Sequence, residues 1–588
     1  MLTRRQELAE TKAAHNHPTY SRMSFVMGCG VQGAGSGSHV LDDHGDAFLA
    51  MFDQYGNQSF GYSHDRILSA IRDQLDTGVL NSTKIMFEEV QVQLCARLAE
   101  LTGQRLPFAY LANGGGETID NALKLARAAT GRRKFVTAVD CFHGKTFGAL
   151  SAAGRPEHLA LYHPLLEHFH QVPFDDLDAL AEVLDEDTAA VLLAPVQAEG
   201  GVIVGAPDYL REVRRMCTEA GALLILDEMQ TAFGRCGTFF AFEHFDAVPD
   251  LLCIGKAFGG GVVPLSAVLG TERVWASLAA LPSTFGSSLG GNPLSCRVGL
   301  EVIEIASQEP FLAAVRQKGE LIGTRLADLA DRFPELIRSH RGLGKMNGLE
   351  FRDETLGGLV LHLLLRRGVT STYSLYNNRV LRIQPPMVIS AADLRTGLDA
   401  VADALAAVEN YRAIHGGAAV TLSPITVTVH TGQDSAELVR LLHRRPYLFD
   451  PFALDTTAQP SADRENRFRG TLGDDVVHWT DRVERTTDGV RLRADPDWLW
   501  RKLDRTVTVR PARTDGGTGG AASTDNTDST DSTDSTAGGS VVAIRIAWDA
   551  GTGPYEAMLA GPIGYHIRSR LAVLTGQDAA RPHRLAEV

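Results

Sequence analysis

Two charged residues, each at the end of a short apolar run, set the chemistry this sequence can carry. Residues 222–227 read Ala-Leu-Leu-Ile-Leu-Asp and continue through Glu228-Met-Gln-Thr-Ala-Phe-Gly-Arg235. Residues 251–256 read Leu-Leu-Cys-Ile-Gly-Lys and continue into Ala257-Phe-Gly-Gly-Gly261. Runs this short, flanked by glycine, read as buried parallel strands. In an open α/β sheet the ligand crevice lies just past the carboxyl ends of such strands. Asp227 and Lys256 delivered there together suit pyridoxal 5'-phosphate (PLP), with the lysine forming the Schiff base and the aspartate keeping the pyridine nitrogen protonated. Either half alone reads better as a buried ion pair or a solvated lysine after a strand, and it is the surrounding constellation that favours the cofactor.

Further candidates surround this pair. Asn113-Gly-Gly-Gly116-Glu117 precedes an amphipathic helix to about Ala129, and a glycine turn opening a helix is a ready anion site, or else a plain loop. The strand Lys134–Val139 leads into Cys141-Phe-His-Gly, where Phe142 could stack on a planar ring and His143 fits a structural role. The run Ala189–Val196 delivers Gln197-Ala-Glu199 at its carboxyl end. Arg382 stands between Leu381 and Ile383 on a strand, and an arginine among buried positions wants an anion, from the protein or from a substrate.

The elements that must position these residues alternate between short strands and helices from 108 to 270, including a crossover helix Tyr209–Ala220, which indicates an α/β fold with a mostly parallel doubly wound sheet. Upstream, Val40–Leu49 reads as a hairpin, and two helices between Ile67 and Leu101 part near 78–84. Downstream, helices at about 293–307 and 311–332, strands at Gly342–Phe351, Val369–Tyr373 and from Val380, and the helix Ala391–Arg412 form a smaller α+β lobe. The expected division is 1–65 as an N-terminal segment of the small lobe, 66–299 as the large domain, 300–415 as the rest of the small lobe, and 416–588 as an appended α+β domain. In that last domain strands are expected at Thr426–His430, Thr506–Arg510 and Val541–Trp548, and helices near Ser435–His443, Asp497–Leu503 and Tyr555–Leu574. Its Ser-Thr-Asp-rich stretch 513–540 has the composition of a disordered loop.

At 588 residues the chain is too long for one core, and length alone suggests roughly three or four domains. A net charge of −14 without a basic block argues against a nucleic-acid surface. The N-terminus lacks the apolar core of a signal peptide, and no apolar run approaches a membrane span. Seven scattered cysteines without a Cys-x-x-Cys pair read as reduced thiols, so a cytoplasmic location is expected, with no metal site.

Over about residues 20–410 the sequence resembles the class III aminotransferases, the fold-type I PLP enzymes that include ornithine, acetylornithine, 4-aminobutyrate and diaminobutyrate aminotransferases. Asp227-Glu-Met-Gln-Thr-Ala-Phe-Gly-Arg-x-Gly is similar to the family's Asp-Glu-Val-Gln-x-Gly-x-Gly-Arg-x-Gly, and Gly255-Lys-Ala-Phe-Gly-Gly-Gly to its Ser-Lys-x-Leu-Gly-Gly-Gly. The resemblance implies Lys256 as Schiff-base lysine and proton shuttle, Asp227 on the pyridine nitrogen and Gln230 near the ring hydroxyl. It implies Phe142, followed by His143, as the stacking aromatic, and Gly115 and Gly116 as the phosphate turn with Glu117 after it. Ser288 falls where a family threonine reaches the phosphate of the neighbouring subunit, implying a homodimer with a shared active site. Arg382 matches the arginine that holds a substrate α-carboxylate, and Glu199 the glutamate that pairs with it when an ω-amine is bound. The sequence departs from the family at Gly114 and Gly116, where hydroxyl residues are usual, and at Ala194, Ala198 and Ala232.

The function so implied is transfer of an amino group between an amino acid donor, glutamate, and an aldehyde, ketone or ω-amine partner. The appended domain would recruit a peptide- or carrier-tethered substrate in specialised metabolism. The competing readings are an aminomutase, racemase or decarboxylase on the same scaffold, and a non-catalytic scaffold carrying a C-terminal binding module.

Overall fold

The computed structural model describes residues 4–27, 29–155, 159–280, 285–414, 425–431, 436, 439–440, 466–472, 475–494, 502–511 and 540–549. They fall into two compact units, Val31–Tyr411 and a second made of Met1–Gly30 with Arg412–Val588.

The first unit is built on a seven-stranded sheet of β1 (Phe108–Ala112), β2 (Lys134–Ala138), β3 (Phe169–Val172), β4 (Thr188–Leu193), β5 (Leu223–Asp227), β6 (Leu251–Ile254) and β7 (Ser266–Gly270). Their spatial order is β1-β7-β6-β5-β4-β2-β3. β7 runs antiparallel to both of its neighbours, while β2 to β6 are mutually parallel. The apolar runs are unbroken because both faces of the sheet are covered. Alternate residues of one strand go to different cores. Leu224 and Leu226 pack with Leu210, Val213 and Cys217 of helix α2 (Tyr209–Ala220). Leu223 and Ile225 pack with Ile119, Ala122 and Leu125 of helix α1 (Gly115–Thr130). Period-two side chains between two helical layers are the physical content of a doubly wound sheet.

The same unit holds two further four-stranded sheets. Antiparallel strands at Gln32–Ser36, His39–Asp42 and Ala47–Ala50 gain Val369–Thr370 as a parallel fourth. A second four-stranded sheet contains Ile337–Leu343, Met346–Phe351, Asn377–Ile383 and Thr372–Ser374. Two expectations change here: Val369–Tyr373 divides between the two sheets, and Gly342–Phe351 is not a single strand but the corner and second arm of a hairpin. Gly344 takes φ +57 in the turn, and a Cβ there would lie 2.5 Å from the Cys236 carbonyl carbon, so only glycine fits.

In the second unit, helices Arg4–His15 and Pro18–Met27 are joined by a six-stranded antiparallel sheet. Strands Asn466–Leu472, Asp475–Thr486, Gly489–Ala494, Lys502–Pro511 and Ser540–Asp549 follow one another in space, and Ile425–Thr431 pairs with the last of them. The helix expected at Asp497–Leu503 is corrected at its end, since Lys502 and Leu503 pair with Asp549 and Trp548 in a ladder. The helices expected near 435–443 and at 555–574 lie almost wholly outside the described residues, as does the stretch 513–540 apart from Ser540.

Among the described residues of the first unit one ion pair is wholly enclosed: Arg235 Nη2 donates to Asp53 Oδ2, and neither side chain is exposed. Breaking a buried pair leaves an uncompensated charge and costs about 3–5 kcal/mol, whereas an exposed pair is worth about 1 kcal/mol or less. Asp53→Ala is therefore expected to lower the denaturation midpoint strongly. Asp399→Ala, which removes the exposed partner of Arg325, should barely move it. Equal midpoints in thermal scans of the two variants would contradict this ranking.

Candidate active site

The carboxyl ends of β4, β5 and β6 converge on a cavity of about 210 Å³ lined by Gly115, Gly116, Phe142, His143, Glu199, Asp227, Met229, Gln230 and Lys256 among others. Nine of the ten residues expected at the site, all but Ser288, are thus on it or bonded to it.

Lys256 begins a short 3-10 turn after β6 and takes φ +50. A non-glycine residue in that region is held there by its surroundings, and such residues cluster at functional sites. Burial depresses its pKa, opposed by the Glu199 and Asp227 carboxylates and reinforced by the Arg382 guanidinium. Neutral amine, the form that acts as nucleophile or base, is thereby favoured. Gly56 takes φ +94, a backbone conformation that favours glycine, and stands beside the Lys256 side chain: a Cβ there would be in ordinary contact with Lys256 Cδ at 3.6 Å.

Asp227, the last residue of β5, is 6% exposed. Its Oδ1 accepts the Met229 N–H at 3.0 Å, and its Oδ2 lies 2.7 Å from His143 Nδ1. Burial works against a charged His143, but Cys141 and the Asp227 carboxylate raise its pKa to about 10. His143 therefore stands as a proton donor to Asp227 and fixes the carboxylate's orientation, which gives its structural role a purpose at the site.

The glycine turn offers backbone. Helix α1 starts at Gly115, so the amides of its first turn lack intrahelical acceptors and face an anion-attracting helix end. A Cβ on Gly116 would meet Thr146 Cγ2 at 2.9 Å, so Thr146 occupies the space a side chain there would need. Glu117 does not face the cavity. Its Oε2 accepts from the backbone and side-chain amides of Asn113 at 2.9 and 3.2 Å, tying the turn together. Phe142 meets Tyr376 edge to face at 5.8 Å.

At the other end Arg382 is fully buried. Its Nη1 donates to Glu199 Oε1 at 2.7 Å and its Nη2 to Gln230 Oε1 at 2.8 Å. Gln230 Nε2 donates to the same Glu199 oxygen at 2.8 Å, closing a triangle. Phe52 and Tyr55 stack on the guanidinium with ring centres 5.5 and 5.7 Å away. Burial alone would raise the Glu199 pKa, but Arg382, Lys256, the Leu375 N–H and Gln230 outweigh it and hold the carboxyl below its usual value. The anion demanded by Arg382 is thus Glu199.

Ser288 is exposed and lines a separate cavity with Lys84, Gln91, Tyr110 and Ser287. The sequence reading missed Asp53, Tyr55, Gly56 and Gln384, which adjoin Arg382 and Lys256 from the segment after Ala47–Ala50 and the exit of strand Asn377–Ile383. A polar cluster between aromatics, Phe52-Asp-Gln-Tyr, directly after a strand was the available signal.

A glycine-lined helix end, a carboxylate backed by imidazole, an aromatic and a lysine at one enclosed cavity fit PLP. With the seven-stranded sheet they define a fold-type I PLP transferase. The sequence model of the class-III aminotransferases matches residues 26–405, and the chain belongs to that family. Ornithine aminotransferase of Toxoplasma gondii ME49 is 30% identical, with TM-score 0.62 over 65% of this chain and 91% of its own. A second structure of the Toxoplasma gondii enzyme, with PLP at partial occupancy, is 29% identical with TM-score 0.61, over 65% of this chain and 92% of its own. Acetylornithine aminotransferase of Elizabethkingia anophelis is 25% identical, with TM-score 0.58 over 68% of this chain and 97% of its own. The protein is a PLP-dependent aminotransferase.

A hydrogen bond to a charged group contributes about 1.5–3 kcal/mol. His143→Phe, which withdraws the donor from Asp227, is accordingly expected to weaken PLP retention at least tenfold. Equilibrium dialysis read by cofactor absorbance would measure it, and unchanged retention would reduce His143 to packing.

Proposed function

We propose that the enzyme takes its amino group from an α-amino acid, glutamate, and exchanges it with an aldehyde, ketone or ω-amine partner. The observation that carries this reading is the buried Arg382–Glu199 pair at the cavity that holds Lys256. An α-carboxylate is received when Glu199 leaves the guanidinium, while a substrate without a carboxylate is received with the pair closed. Bound PLP supplies the electron sink. Gly115 and Gly116 would hold its phosphate, Phe142 its ring and Gln230 its hydroxyl. Asp227, oriented by His143, keeps the pyridine nitrogen protonated, so its charge acts where negative charge develops. Lys256 Nζ takes the substrate α-proton and returns it, a role suited to an amine whose pKa burial has lowered.

Addition of L-glutamate to the PLP-loaded protein should bleach its visible absorption, and Lys256→Ala should abolish both that absorption and turnover. Loss of a charged, two-armed contact of about 3 kcal/mol makes Arg382→Met raise the KM for glutamate about a hundredfold. Absorption indifferent to glutamate would rule out this donor.

We further infer a homodimer that completes each active site. Ile85, Met86 and Phe87 are 90%, 73% and 102% exposed, an apolar run suited to a second copy, and it adjoins Lys84, which lines the Ser288 cavity. Ser288 would then serve the partner's phosphate end. The sheet of the second unit would recruit a peptide- or carrier-tethered carbonyl; its support is its separate compactness. Light scattering should give twice the 63.5 kDa chain mass. Deletion of 417–588 should leave the glutamate half-reaction intact and abolish turnover of the native acceptor. A monomer with full activity would dispose of the first inference, and full acceptor turnover after deletion would dispose of the second.

A further inference from the structure

Arg382 is bonded to Glu199 and Gln230 of the cavity wall, and the buried network continues beyond it. Gln384 follows it by two positions, and period-two geometry places both side chains on one side of the chain. The two meet: Arg382 Nη2 donates to Gln384 Oε1 as well as to Gln230. Gln384 Nε2 in turn donates to Asp53 Oδ1 at 2.9 Å. This second bond settles which way the amide points, because only its nitrogen can donate to the carboxylate, so its oxygen is presented to the arginine. All three side chains are buried without exposure.

Asp53 is itself fixed. It accepts from the Gly56 N–H at 2.9 Å, from Ser59 Oγ at 2.7 Å and from Arg235. The backbone brings it there: Asp53 N–H donates to the Gln384 carbonyl and Gln384 N–H to the Met51 carbonyl, each at 2.9 Å. The chain after Gln384 is clamped as well. Arg235 Nη1 holds the Pro385 carbonyl at 2.8 Å, and the buried Lys345 Nζ holds those of Pro386 and Met387 at 2.9 and 3.2 Å.

These attachments differ in what they do when a carboxylate arrives. Glu199 must leave, and Gln230, bonded to Glu199 as well as to Arg382, loses one of its two supports. Gln384 loses nothing, since Asp53 lies on its far side from the substrate. We propose that Gln384, oriented by Asp53, is a positioning residue that keeps the Arg382 guanidinium aligned for a substrate carboxylate once Glu199 has swung away. It thereby sets the preference between carboxylate-bearing and carboxylate-free amines. The inference rests on the reading of Arg382 as the carboxylate-binding arginine.

The test compares half-reactions of PLP-loaded wild type, Gln384→Met and Gln384→Asn with L-glutamate and with n-butylamine, followed by loss of cofactor absorbance. Methionine keeps the volume without the polar atoms; asparagine keeps the amide but is one methylene too short to span Asp53 and Arg382. Thermal scans show which variants are folded, and either one suffices. The expected result is an at least tenfold shift of the ratio of the two apparent dissociation constants against glutamate. An unchanged ratio, or one that moves in favour of glutamate, with wild type using glutamate normally, overturns the relay and leaves the donor reading standing. Wild type indifferent to glutamate overturns the donor reading and this proposal together.

Discussion

The Arg382 side of the site depends on a ladder of buried polar and charged groups that opens on the cavity only at its first member: Glu199, Arg382, Gln384, Asp53 and Arg235. Four charges are removed from solvent, a desolvation penalty of several kcal/mol each, and what offsets it is that they balance in sign and meet at hydrogen-bond distance. Such a ladder is a poor source of stability compared with apolar packing. It is a good source of orientation, because each group is fixed by its neighbour on the side away from the substrate.

The ladder also explains how two parts of the first unit are joined. Asp53 comes from the N-terminal segment, Arg235 from the loop after β5, and Arg382 and Gln384 from the Asn377–Ile383 strand and its exit. Lys256 stands at the point where these meet the carboxyl edge of the sheet. The sheet is rigid because two helical layers pack its alternate side chains, so Asp227 and Lys256 are placed by backbone register. The groups from the other segments are placed by charge. A lysine at φ +50 with Gly56 close against its side chain is the junction of the two kinds of positioning.

How much of this a sequence discloses follows the same division. Strands buried on both faces are unbroken apolar runs, so β4, β5 and β6 and the charged residues ending them were legible, as was helix Tyr209–Ala220 from its period. Glu199 and Arg382 were legible as candidates, each being a charge abutting a buried run. Asp53 and Gln384 were not, because a polar residue next to a strand looks alike whether it faces solvent or another segment far away in sequence. The hairpin at Gly344 was hidden because its two arms share one apolar pattern, and only the crowding against Cys236 reveals the turn. The start of strand Lys502–Pro511 was read as helix because its tryptophan- and leucine-containing approach has no strict alternation.

One consequence joins the chemistry to the fold. An aminotransferase must receive two different substrates in turn at one lysine, and the two need not both carry a carboxylate. A site with a free arginine would favour the carboxylate always, and one with a permanent ion pair would refuse it always. Here the pair closes on a glutamate whose pKa is held below its ordinary value, so under the proposed function opening would exchange one carboxylate for another at the same guanidinium. A carboxylate taking the place of Glu199 would offer Arg382 an acceptor of the same kind, so the net difference would reduce to where Glu199 goes and how well Arg382 stays aligned. Selectivity can therefore be adjusted by residues that never touch the substrate, and the buried side of the ladder is where such adjustment has room to act.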